Sequence, residues 1–156
     1  DDVDLNLINS KSLRKSISFL PQNLYMSIDT LESNLNLYKK NELNNDSLTN
    51  PKLGLDKFYN EKNKDDLYGP GGTNLSGGQK QKINLIRTLS KDSNFIILDE
   101  PTNNLDKESI TELVSIIKNK NKETTFLIIS HDQHFINSVS ETLFILENGN
   151  LQKVSK

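Results

Sequence analysis

The sequence contains no cysteine, which excludes disulfides and thiolate metal sites and fits a reducing compartment. It has no apolar run near the roughly 18 residues that a membrane-spanning helix needs. Its first residues, Asp1-Asp2-Val3-Asp4-Leu5, are acidic and lack the apolar stretch of a signal peptide. Neither sign of charge dominates: 19 Lys and Arg stand against 21 Asp and Glu, for a net charge of −2. Nothing here forms the basic footprint of a nucleic-acid binder, so no nucleic-acid partner is expected. Hydrophobic residues make up only 33% of the 156 positions, low for a compact α/β domain. The core is therefore concentrated in a few elements, or part of the domain lies outside these residues. One motif is also missing. No Gly-x-x-x-x-Gly-Lys-Ser/Thr loop occurs, and the cluster Gly69, Gly71 and Gly72 is not followed by the required lysine.

What is present centres on Leu75-Ser76-Gly77-Gly78-Gln79. Ser76 is a good helix N-cap, and two glycines without side chains let bare N–H groups approach an anion at the helix N-terminus. A glycine-rich lead-in to a capped helix would leave the same trace, so the tripeptide alone carries little. The helix runs from about Gly78 to Ser90, with Ile83, Ile86 and Leu89 at helical spacing and Leu85 beside them. Then comes Phe95-Ile96-Ile97-Leu98, a continuous apolar run expected to be a central parallel strand covered on both faces, ending in Asp99 and Glu100. An acid pair closing an apolar strand is not an ordinary solvated loop.

The other segments alternate in the same way. Ile17-Ser18-Phe19-Leu20 is β-prone and is stopped by Pro21-Gln22. Leu24, Tyr25, Met26, Ile28 and Leu31 suit either core packing or a partner-facing surface. Positions 36–66 are polar, with Pro51 and Gly54 as breakers and scattered apolar anchors. After Pro101-Thr102-Asn103-Asn104-Leu105, Asp106 can cap a helix whose stripe is Ile110, Leu113, Val114 and Ile117. Thr124 to Ile129 forms another apolar run ending at Ser130-His131-Asp132, and Asn148-Gly149 is the turn of a terminal hairpin. In open α/β sheets ligands collect beyond the carboxyl ends of the strands. Gln22, Asp99, Glu100 and His131 each follow a β-prone run, so an amide, two acids and an imidazole converge on one edge. That set suits a magnesium-nucleotide: Asp99 for Mg2+, Glu100 to polarise water, His131 for the γ-phosphate and Gln22 to sense it.

LSGGQ followed at helix length by FIILDEP resembles the nucleotide-binding domain of ATP-binding cassette (ABC) proteins, and the matching motifs extend from about Val3 to Val154. The resemblance implies an α/β fold: a partial P-loop NTPase, mostly a parallel sheet flanked by helices, with a small helical subdomain. Residues 1–23 and 91–156 would be the RecA-like core part, and residues 24–90 the helical subdomain carrying the signature motif. It implies ATP and Mg2+ as cofactors. Ser76, Gly77, Gly78, Gln79 and Asp106 would contact nucleotide across a dimer, Asp99 and Gln22 would serve the metal, and Glu100, His131 and Gln22 would be catalytic. A second cassette, joined head-to-tail, and a transmembrane domain in the same or another chain are the implied partners, which places the domain at the cytoplasmic face of a membrane. The resemblance further implies that the sequence starts within the domain, after the P-loop, so that this stretch alone binds ATP weakly and is inactive. Pro70 stands where exporters often carry a glutamate, which weakens any carry-over of their cross-talk. Exporter-type transport is the leading expectation. The alternative is a soluble ABC-F ATPase acting on ribosomes, which Asp-Glu-Pro-Thr-Asn-Asn-Leu-Asp and Ser-His-Asp-Gln resemble; Gln79, usually Glu in that group, and the low basicity argue against it.

Overall fold

The structure, a computed structural model, describes residues 3–37, 53, 66–69, 75–120 and 123–154. Most of the polar 36–66 stretch, and Pro70, Gly71 and Gly72, lie outside the described residues. A short helix α1 (Ser10–Ser16), capped by Asn9, leads into strand β1 (Ile17–Leu20). Helix α2 (Leu31–Asn36) follows, capped by the Thr30 hydroxyl. Helix α3 (Gly77–Ser90) precedes strand β2 (Phe95–Asp99), then come helix α4 (Lys107–Asn119), strand β3 (Thr125–Ile129) and helix α5 (Gln133–Val139). Strands β4 (Leu143–Glu147) and β5 (Asn150–Val154) close the chain as an antiparallel hairpin. Asn148 and Gly149, at φ 50° and 78°, form its turn, the geometry that matches the right-handed strand twist and that Asn-Gly favours.

The first three strands form one parallel sheet in the order β1-β2-β3, with Leu20 opposite Leu98 and Asp99 opposite Ile129. Parallel pairing brings all three carboxyl ends to the same edge. Leu20, Ile96 and Leu98 project into a core shared with Ile83, Leu85 and Leu89 of α3, Leu113 and Ile117 of α4, and Phe135 of α5. Met26, Leu31, Leu35, Leu53 and Tyr68 belong to that same core. Of the apolar residues after Gln22, then, Met26 and Leu31 are core, whereas Tyr25 and Ile28 are exposed.

One expectation needs correcting. The central strand is covered on one face only among the described residues. Side chains alternate along a strand, so Ile97 faces away from the helices, flanked at the same register by Phe19 and Leu127, which are 53% and 48% exposed. Helix α3 buries more than its apolar stripe. Its apolar stripe is buried as the spacing implies, but Gln81, Asn84, Arg87 and Thr88 are buried as well. Arg87 carries a network there: its guanidinium donates to the carbonyl of Tyr25 at 2.6 Å, to Oδ1 of Asn34 at 2.6 Å and to the backbone carbonyl of Asn34. Asn34, fully buried, in turn donates to the carbonyls of Ser27 (3.1 Å) and Asp29 (3.2 Å). The chain that follows Gln22 is thereby fixed to α3.

Candidate functional site at the carboxyl edge of the sheet

Glu100 lies one residue beyond β2 and adopts φ 49°, a left-handed conformation that costs a non-glycine residue on the order of 1–3 kcal/mol. Its peptide is held on both sides. The N–H donates to the carbonyl of Ile129 at 2.8 Å, and the carbonyl accepts from Asn103 N–H at 3.2 Å and from Nε2 of Gln81 at 3.2 Å. The carboxylate is largely buried, with its Oε2 2.8 Å from Nδ1 of the exposed His131. The hydrogen bond to Glu100, reinforced by its charge, raises the His131 pKa above the ordinary histidine value. His131 is carried there by β3, and Asp132 next to it caps α5 by accepting from the N–H of Phe135 at 3.0 Å.

The signature residues lie against the turn that follows Glu100. Ser76 and Gln79 form a reciprocal capping box: the Ser76 hydroxyl accepts from the Gln79 N–H, and Oε1 of Gln79 accepts from the Ser76 N–H at 2.9 Å. Gly77 is exposed and Gly78 half-buried against Asn104, itself at φ 59°. Asp106 caps α4 by accepting from the Ser109 N–H at 2.8 Å and pairs with Nζ of Lys82 at 3.0 Å. The Ser109 N–H first, and Lys82 after it, hold the Asp106 carboxyl below the usual carboxylate range.

The structure thus brings Glu100 and His131 into direct contact and joins the 76–79 turn to the 100–106 turn. Asp99 ends β2, half-buried, beside Glu100. Gln22 is exposed in the loop after β1, placed at the same edge by the register of Leu20 with Leu98 rather than by a shown contact. The amide of Gln81 and the charge of Lys82 match what the family usually carries at these positions, but the partners of Gln81, Lys82 and Arg87 are not visible in the sequence. Polar residues are frequent along this helix, so nothing in the sequence marks which of them are buried. For a metal, the carboxylate of Asp99 at the end of β2 has the chemistry that suits Mg2+, which takes one or two protein oxygens and completes its shell with phosphate and water.

Comparison with known proteins agrees with this fold. The family model described as ABC transporter matches residues 1–103. The chain is 32% identical over 157 residues to the ATP-dependent lipid A-core flippase of Pectobacterium atrosepticum, covering 97% of the chain and 26% of that protein. It is 26% identical over 153 residues to the glutathione/L-cysteine transport system ATP-binding/permease protein CydC of Escherichia coli, covering 97% of the chain and 26% of that protein. Among solved structures, a bacterial Atm1-family ABC exporter with ATP bound superposes with a TM-score of 0.88 at 25% identity, over 96% of this chain and 27% of that one. The chain belongs to the ABC transporter family. It spans about a quarter of the length of these relatives. No helix among the described residues is long and apolar enough to cross a membrane.

Proposed function

We propose that this segment forms the hydrolytic edge and the signature motif of a nucleotide-binding domain that powers an exporter. The observation that carries the reading is the Glu100–His131 pair at 2.8 Å, set at the carboxyl edge of the parallel sheet immediately after an apolar strand. Glu100 accepts a proton from the attacking water, and His131 holds both Glu100 and the γ-phosphate in place. Asp99 and Gln22 hold Mg2+, which when bound neutralises phosphate charge. Ser76, Gly77, Gly78 and Gln79 meet the nucleotide of a second cassette across a head-to-tail dimer, with Asp106 at the same interface. Residues 1–23 and 91–156 act as the RecA-like part, and 24–90 as the helical part. A transmembrane domain, in this or another chain, is the element that ATP-driven closure moves, so the segment works at the cytoplasmic face of a membrane. The stretch alone, without a phosphate-cradling loop of its own, is inactive.

Relatives that are themselves transporters support this reading over a soluble ATPase acting on ribosomes. The test uses the whole natural polypeptide that carries these residues. Its Mg-ATP turnover should depend on reconstitution into lipid vesicles. Turnover stimulated by ribosomes and indifferent to lipid would overturn the transport reading.

A further inference from the structure

We infer that Gln81, on the second turn of the signature helix, is a positioning residue that sets the Glu100 carboxylate against His131. Gln81 is 3% exposed, and its Nε2 donates to two consecutive carbonyls, Glu100 at 3.2 Å and Pro101 at 2.9 Å. Two carbonyl acceptors admit only the NH2 end of the amide, so the orientation is fixed by chemistry. The residue that it grips is the strained one. Glu100 holds φ 49°, and such a conformation persists only where its surroundings over-determine it. Of the three bonds to the Glu100 peptide, one runs to β3 and one lies within the turn itself; Gln81 supplies the one that comes from a separate helix. Without it, two buried carbonyls lose a donor and the turn can relax toward ordinary φ, which swings the Glu100 side chain off the line of the strand and away from His131.

This places the carboxylate under the control of α3. The helix that presents Ser76, Gly77 and Gly78 at its start holds Glu100 one turn later, so a displacement of α3 is felt at Glu100 through one amide. Lys82, the next residue, makes a parallel tie to Asp106 at 3.0 Å. The catalytic side of the inference rests on the role proposed for Glu100. The positional side does not.

The test compares the whole polypeptide with its Gln81→Met and Gln81→Asn variants, methionine keeping the bulk without donors and asparagine keeping the amide on a shorter stem. The titration of His131 is read by NMR, and ATP turnover in parallel, with Glu100→Gln as the reference. With Glu100 released, the His131 pKa should fall toward the ordinary histidine value in both Gln81 variants. In Gln81→Met, kcat should drop between about tenfold and a hundredfold while KM for ATP changes by less than about threefold. An unchanged His131 titration in a folded Gln81→Met or Gln81→Asn protein would overturn the inference, whatever Glu100→Gln does. Wild-type turnover in Glu100→Gln would instead overturn the role of Glu100 as base and leave the positional result standing.

Discussion

A Cβ placed on Gly78 would stand 2.6 Å from the carbonyl oxygen of Asn104, closer than real Cβ contacts come. The second signature glycine is therefore required inside the chain, where α3 passes over the 101–105 backbone, and not only for contact with nucleotide. Gly78→Ala should force backbone to move and cost about 1–3 kcal/mol, as overpacking does. At Gly77 the nearest obstacle is the Asn104 side chain, 3.2 Å away, which can turn aside. Gly77→Ala should thus destabilise less, and urea denaturation of the two variants gives the order.

His131 should titrate above 6.5 because Glu100 accepts its hydrogen bond and supplies negative charge. A folded-state pKa raised in this way contributes stability that is complete below the unfolded histidine value and is lost as pH rises through the folded one. An NMR titration of the imidazole should show the raised value, and Glu100→Gln should bring it back toward 6.5. An identical titration in both proteins would mean that the contact does not exist in solution.

Removing Arg87 should be costly although it lies outside the site. Its guanidinium satisfies the carbonyl of Tyr25 and both the carbonyl and Oδ1 of Asn34 at a position only 3% exposed. Hydrogen bonds to a charged donor contribute roughly 1.5–3 kcal/mol each, so Arg87→Met should lower stability by about 3 kcal/mol or more. Arg87→Lys should recover only part, since an ammonium is a single point and cannot match the planar fork. Thermal midpoints of the two variants decide this.

Asp106 couples two jobs that substitution separates. Asp106→Ala loses the cap of α4 and should cost about 1 kcal/mol, whereas Asp106→Asn keeps an acceptor for the Ser109 N–H and loses only the charge facing Lys82. Because the folded carboxyl is held below its ordinary value, its contribution is present above the ordinary carboxylate pKa and disappears as pH falls through the depressed one. Wild type should unfold later than Asp106→Asn at neutral pH, and the two unfolding curves should converge as the pH is lowered.

The fold was legible where local chemistry decides it. Ile17–Leu20, Phe95–Asp99 and Thr125–Ile129 are strands because apolar and β-branched runs end at breakers, and Asn148-Gly149 turns because few other pairs accept two positive φ values. Asp106 could be read as a cap from its place before the apolar stripe of α4. That Glu100 and His131 share one edge could be read from their places just after β-prone runs, whereas their direct contact could not. What could not be read was long-range. Nothing near Gln81 in sequence shows that its amide meets carbonyls 19 and 20 residues away, and nothing near Arg87 points to acceptors more than 50 residues upstream. Nor does the β2 sequence, apolar at every position from Phe95 to Leu98, reveal that Ile97 and its neighbours Phe19 and Leu127 face away from the helices.

Steady-state phosphate release by the whole polypeptide, wild type beside Glu100→Gln, tests the account most directly. Amide for carboxylate keeps the shape at Glu100 and removes its basicity. Mg-ATP should still bind with little change in affinity while turnover falls by about a hundredfold or more, the scale of a positioned general base. Turnover that survives the substitution would contradict the assignment of this edge as the hydrolytic site.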